Sequence, residues 1–260
     1  MTTFVNTPFG ALEGTEQDGV YRFLGVPFAE KPLGELRFRA PQMVRPWTET
    51  RQATGYEKDP MQANLVLGPE HYSEDCLYLN LWVPETTAKK LPVMVWVPGG
   101  AFATGGSGAV DPEGPSIYDC QQLAKDGGCI VVSISYRLNV FGFLNLSQFS
   151  SRFDDNIGMR DIIMALRWVQ EAIASFGGDP ENVTLVGESA GGEAISALLL
   201  IDEAKPYFHK AIIESNCFGS FYTQEEEREI CELYLQYAGL TADKAEGLLT
   251  LPYEKLIEAG

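Results

Sequence analysis

The rhythm of apolar and polar positions along the chain changes at Leu77. Before it, short apolar runs are broken every few residues by glycine or proline, as in YRFLGVPFAEKPLGELRFRAP (21–41). That pattern predicts small antiparallel strands joined by turns. After it come strand-length, β-branched runs: LYLNLWV (77–83), VMVWV (93–97), CIVVSISY (129–136), VTLVG (183–187) and AIIES (211–215). From Val93 onward they are nearly continuous in apolar side chains, as strands covered on both faces are. Between them the period lengthens to that of a helix. Ile162, Leu166, Val169, Ile173 and Phe176 recur at spacings of four and three, and Gly177-Gly178 stops that helix. Strand, helix, strand in this order predicts an α/β protein with a mostly parallel central sheet and right-handed crossovers. No internal repeat breaks the pattern, and residues 1–260 are expected to form part of one domain.

Two glycine-rich turns sit where predicted strands end. In LVGESAGGEA (185–194) a serine lies between Gly187 and Gly191, after a strand and before a helix expected to start near Gly191. A serine forced into so tight a turn needs neighbours without side chains, and the helix N-terminus adds its dipole and free N–H groups beside the hydroxyl. Ser189 is therefore the candidate nucleophile. In VWVPGGAFATGG (95–106) a second loop can aim backbone N–H groups at an oxyanion. The donors expected are those of Gly100, Ala101 and Ala190. Taken singly, each stretch has a plainer reading, a helix-capping serine or an ordinary strand-to-helix turn. Together they are specific.

Charge and composition narrow the partners. A net charge of −17 and an isoelectric point near 4.5 repel phosphate backbones and anionic bilayers, so neither nucleic acid nor membrane is an expected partner. No apolar run approaches the roughly 20 residues that cross a bilayer. MTTFVNTPFGALEG has neither a basic nor an apolar leader region, and a cytoplasmic location is expected. Five cysteines, Cys76, Cys120, Cys129, Cys217 and Cys231, show no Cys-x-x-Cys spacing and read as buried free thiols. No metal and no cofactor are expected. Asn145-Leu-Ser and Asn182-Val-Thr match the glycosylation pattern and read as chance.

The stretches FLGVPFAEKPLGELRF, SEDCLYLNLWVP, PVMVWVPGGAF, VVSISYRLNVFGFL, NIGMRDIIMALRWVQEAIASFGGDPENVTLVGESAGG and FHKAIIES resemble the N-terminal half of type-B carboxylesterases. That family includes bacterial para-nitrobenzyl esterases, cholinesterases and the neuroligins. The resemblance implies an α/β-hydrolase fold truncated at the C-terminus, with Ser189 as nucleophile and Gly100, Ala101 and Ala190 as the oxyanion hole. Glu188 would tune the field near the base, and ion pairs are implied between Arg37 and Glu74 and between Arg137 and Asp161. The implied activity is hydrolysis of a small carboxylic ester. A non-catalytic binding protein on the same fold, like the neuroligins, is the alternative.

The departures matter as well. Pro98 stands where the family carries His or Tyr, Ile162 follows Asp161 in place of Gln, and MQANLVLGPEHY (61–72) offers Cys76 no partner cysteine. The same loop lacks the tryptophan of choline-binding relatives. A serine also needs a base, and the chain has only two histidines, His71 and His209. His209 precedes AIIES, about 15 Å from the edge where Ser189 lies at roughly 3.3 Å per residue. His71 lies in a loop ahead of Ser73-Glu74-Asp75 and reads as exposed. The acidic and histidine members of the triad are therefore expected beyond residue 260, and these residues alone are expected to be inactive. The missing half, or an associating partner, would cover an open sheet edge.

Overall fold

The computed structural model describes residues 1–62, 68–108, 118–216, 219 and 221–260. Strands β1 (Thr2–Thr7), β2 (Gly10–Gln17) and β3 (Val20–Pro27) form an antiparallel meander on one side of a nine-stranded sheet. The β2–β3 turn has Asp18 and Gly19 at φ 53° and 77°. Positive φ at both central residues matches the strands' twist in a two-residue hairpin.

The sheet continues through β4 (Tyr78–Pro84), β5 (Leu91–Val97), β6 (Ile130–Ile134), β7 (Gly178–Glu188) and β8 (Lys210–Glu214), in the spatial order β3-β4-β6-β5-β7-β8. Arg51–Gln52 adds a short strand beside β2. The pairings from β6 to β8 are all parallel, whereas β4 is antiparallel to both of its neighbours. Only residues 85–90 separate β4 from β5, too few for a crossover helix, so the chain reverses direction there.

Helices α1 (Gln121–Gly127), α2 (Ile157–Ala172) and α3 (Ala190–Leu198) link successive parallel strands. Along α2, Ile162, Ala165, Leu166, Trp168 and Val169 are fully buried in the main core. The helical pattern read to Phe176 is α-helical only to Ala172. A 3-10 turn, Ile173–Phe176, finishes it and Gly177 closes it at φ 84°. Tightening the last turn keeps Ile173 and Phe176 on the buried side, so the apolar spacing survives the change of helix type.

A second core lies beneath α4 (Gln224–Tyr237) and α5 (Tyr253–Ala259), around Phe38, Phe141 and Phe153. Helix α4 starts on a capping box in which the Thr223 side chain accepts from Glu226 N–H and the Glu226 carboxylate accepts from Thr223 N–H. Among the described residues strand β8 pairs with β7 alone, and its Ile212 and Ile213 are 42% and 36% exposed.

Candidate active site

Strand register brings the two glycine-rich turns together. Gly187 of β7 pairs with Val97 of β5, so Pro98-Gly99 and Glu188-Ser189 leave the sheet side by side at the C-terminal ends of adjacent parallel strands. Ligand sites of open α/β sheets form at that edge.

Ser189 has φ 56° and ψ −124°, between the last residue of β7 and the first of α3. Such a backbone costs a non-glycine residue on the order of 1–3 kcal/mol and persists only where the surroundings enforce it. Here the Ser189 N–H donates to Glu214 O at the end of β8 (2.9 Å), and Ser189 O accepts from Glu193 N–H in α3 (2.9 Å). Gly191 lets α3 approach β5, because a Cβ there would overlap the Val97 carbonyl. The first turn of α3 is thereby held against the sheet with its N-terminus at the serine.

The facing loop is strained in the same way. Gly100, Ala101 and Phe102 have φ of 114°, 55° and 57° in succession. Gly100 O accepts from the N–H groups of Ala103 (3.0 Å) and Thr104 (2.9 Å), which curls the loop back on itself. The Tyr136 hydroxyl donates to Pro98 O (2.7 Å), Asn139 N–H donates to Phe102 O (2.7 Å), and the Phe102 ring packs on Phe143 with centroids 4.5 Å apart. The loop touches the elbow: a Cβ added to Gly99 would lie 3.2 Å from Ser189 Cβ. Among the described residues, none accepts a hydrogen bond from the N–H of Gly100, Ala101 or Ala190, so all three donors are free. Free backbone donors on the serine's own turn and on the loop that touches it are the kind of group that stabilises an oxyanion. Pro98 takes nothing from this set, since its carbonyl is the group in use.

Glu188 is exposed, with its carboxylate against Gly99 and facing Tyr118. Burial first, and then the charge of Glu188, raises the Tyr118 hydroxyl above its ordinary pKa. Neither histidine bonds to the serine. His209 Nδ1 accepts from Val183 N–H (3.2 Å), and the His209 backbone N–H donates to Val183 O (2.8 Å), midway along β7. Val183 is about 20 Å from Ser189 at roughly 3.3 Å per residue along the strand. His71 lies in a 3-10 turn, 3.8 Å from Glu70.

Two ion pairs brace the site. Arg37 Nε donates to Glu74 (2.7 Å), while its Nη1 donates to the carbonyls of Leu248, Leu249 and Leu251, joining the N-terminal segment to the second core. Arg137, 3% exposed, gives Asp161 its backbone N–H (3.0 Å), its Nε (2.8 Å) and its Nη2 (2.6 Å). The Asp161 carboxylate is wholly buried. Cys76, Cys120, Cys129 and Cys231 are free thiols, and Cys217 lies outside the described residues. Among the described residues no cluster of side chains suits a metal ion, and no helix is long and apolar enough to cross a membrane.

Sequence reading missed the buried polar brace beneath the loop. Asn80 Nδ2 donates to Ser107 O and Oγ (both 3.1 Å), and Ser107 Oγ meets Ser135 Oγ at 2.7 Å. Gln62 bonds to both polar groups of the Gly105 backbone. The available signal was a polar residue inside an apolar run: Asn80 in LYLNLWV and Ser135 in CIVVSISY.

A parallel sheet with a strained serine between strand and helix defines an α/β-hydrolase fold. The carboxylesterase family model matches residues 1–259, and the chain belongs to that family. It is 42% identical over 260 residues to a para-nitrobenzyl esterase of Bacillus subtilis, an alignment covering 98% of this chain and 52% of the relative. Phenmedipham hydrolase of Pseudarthrobacter oxydans is 37% identical, with 97% and 50% covered. Among solved structures, a PNB esterase superposes with a TM-score of 0.91 at 41% identity, covering all of this chain and 53% of its own. A carboxylesterase of Geobacillus stearothermophilus gives 0.90 at 40% identity, covering 99% and 52%. The chain thus spans about half the length of these relatives.

Proposed function

We propose that these residues form the nucleophile-bearing part of a serine carboxylesterase that acts on small carboxylic esters. The observation that carries this reading is Ser189, held at φ 56° and ψ −124° beside three free N–H donors. A binding protein gains nothing from that strain. Ser189 Oγ attacks the ester carbonyl, and the N–H groups of Gly100, Ala101 and Ala190 hold the tetrahedral oxyanion. The alcohol leaves, and water releases the acid from the acyl-serine. Glu188, beside the serine, tunes the field near the base in this scheme. The base and its acidic partner come from chain outside these residues: His209 is bonded to Val183, six residues back along the chain from Ser189, and His71 makes no bond to the serine.

The test is covalent. A form of the chain carried on into a segment matching the second half of its relatives should be labelled by a fluorophosphonate on Ser189, read by peptide mass spectrometry. Ser189→Ala should abolish the adduct. A folded protein labelled elsewhere, or not at all, would favour the non-catalytic reading.

A further inference from the structure

Asp59 is a buried carboxyl that the ester chemistry does not use. It is 5% exposed, and its Oδ1 accepts from Gly108 N–H (3.0 Å). The backbone of Gly106 lies flush against the same oxygen, where a Cβ would overlap it. Among the described residues no cation pairs with Asp59. Tyr118 and Cys76 face it, Glu57 and Lys58 precede it in the chain, and Glu188 lies beyond Tyr118. None of the groups facing it is a cation that would favour the carboxylate.

The glycine limb covering Asp59 is continuous with the oxyanion loop. Gly105 is held by Gln62, which donates from Nε2 to Gly105 O (2.8 Å) and accepts from Gly105 N–H at Oε1 (3.1 Å). Gly105 also packs on Gly99, its added Cβ falling 2.5 Å from Gly99 O, immediately before the Gly100 and Ala101 donors. The seating of residues 105–108 over Asp59 therefore bears on where those donors point.

We propose that Asp59 is a positioning residue for the oxyanion loop: its neutral carboxyl seats the Gly105–Gly108 limb, and its ionisation releases it. A buried carboxylate with one N–H donor and no cation is costly, and the cost is relieved when the limb lifts and water enters. Burial outweighs the Gly108 hydrogen bond and holds the Asp59 pKa up to about 7. A lifted limb returns it toward its ordinary 3.8, so raising the pH favours the open form. The link to the oxyanion hole rests on the esterase reading. The seating itself does not.

Amide hydrogen exchange on the 260-residue chain separates the two, since it needs no turnover. Between about pH 5 and about pH 9, protection at Gly105, Gly106 and Gly108, corrected for intrinsic rates, should fall at least about tenfold, one pKa unit's worth of coupling. Val95 and Val132 in the core strands should hold their protection. Asp59→Asn, neutral and of the same shape, should keep the limb protected at both pH values. A pH-independent wild-type limb, or an Asp59→Asn limb as open at low pH as the wild type at high pH, would overturn the proposal. Exchange that follows Asp59 in the limb but leaves Ala103 and Thr104, the amides bonded to Gly100 O, unmoved would overturn the positioning role. A limb that switches in the 260-residue chain, together with a chain carried on into a segment matching the second half of its relatives that folds yet fails to label Ser189, would sink the esterase reading and leave the switch standing.

Discussion

Arg137 and Asp161 show how one buried contact fixes several elements at once. The guanidinium satisfies a carboxylate that has no access to water, and it binds the segment that follows β6 to the first turns of α2. Arg137→Ala should destabilise the fold by roughly 3–5 kcal/mol, because Asp161 is left charged and buried. Replacing both residues with apolar side chains of similar volume should recover most of that loss, as urea unfolding would show. Asp59 acts in the opposite sense. Its folded pKa of about 7 exceeds the ordinary 3.8, so between those values the folded state keeps a proton that the unfolded state has released. Stability should fall as pH rises through that window, by an amount on the order of a few kcal/mol at about 1.4 kcal/mol per pH unit. Asp59→Asn should flatten the dependence, and unfolding midpoints at a series of pH values would show whether it does.

At the scale of elements, the elbow depends on α3 lying close to β5. Gly191→Ala puts a methyl into the Val97 carbonyl, which should push α3 off the sheet at a cost of about 1–3 kcal/mol and displace Ser189. Loss of Ser189 labelling beyond the loss in thermal stability would separate displacement from simple unfolding. These elements were legible in the sequence because their signals are local. The five apolar runs became β4 to β8, and the glycines around Ser189 marked a turn that only small residues permit. The antiparallel placement of β4 was not legible, since an apolar run carries no direction. Nor was the brace of Asp59, Gln62, Asn80 and Ser107. Asp59 and the Gly108 N–H that it accepts from are 49 residues apart in sequence, Asn80 and Ser107 are 27 apart, and such contacts acquire meaning only when the sheet closes.

For the whole molecule, the exposed face lies where β8 ends the sheet. Ile212 and Ile213 on a strand with one free side favour edge-to-edge pairing, so the 260-residue chain should self-associate with rising concentration. Ile212→Lys should reduce that association in sedimentation velocity without altering the unfolding midpoint much. The chemistry is set at the same scale: the chain matches about half of each relative, and neither of its histidines bonds to Ser189. Losing the histidine of a serine triad lowers turnover by about a million-fold. The central claim, that Ser189 is an esterase nucleophile whose base lies outside these residues, is tested most directly by p-nitrophenyl acetate hydrolysis. Turnover is compared between the 260 residues alone and a chain carried on into a segment matching the second half of its relatives. The account predicts background rates from the first and turnover from the second that Ser189→Ala abolishes. Robust turnover by the 260 residues alone, dependent on Ser189 and lost in His71→Ala, would contradict it.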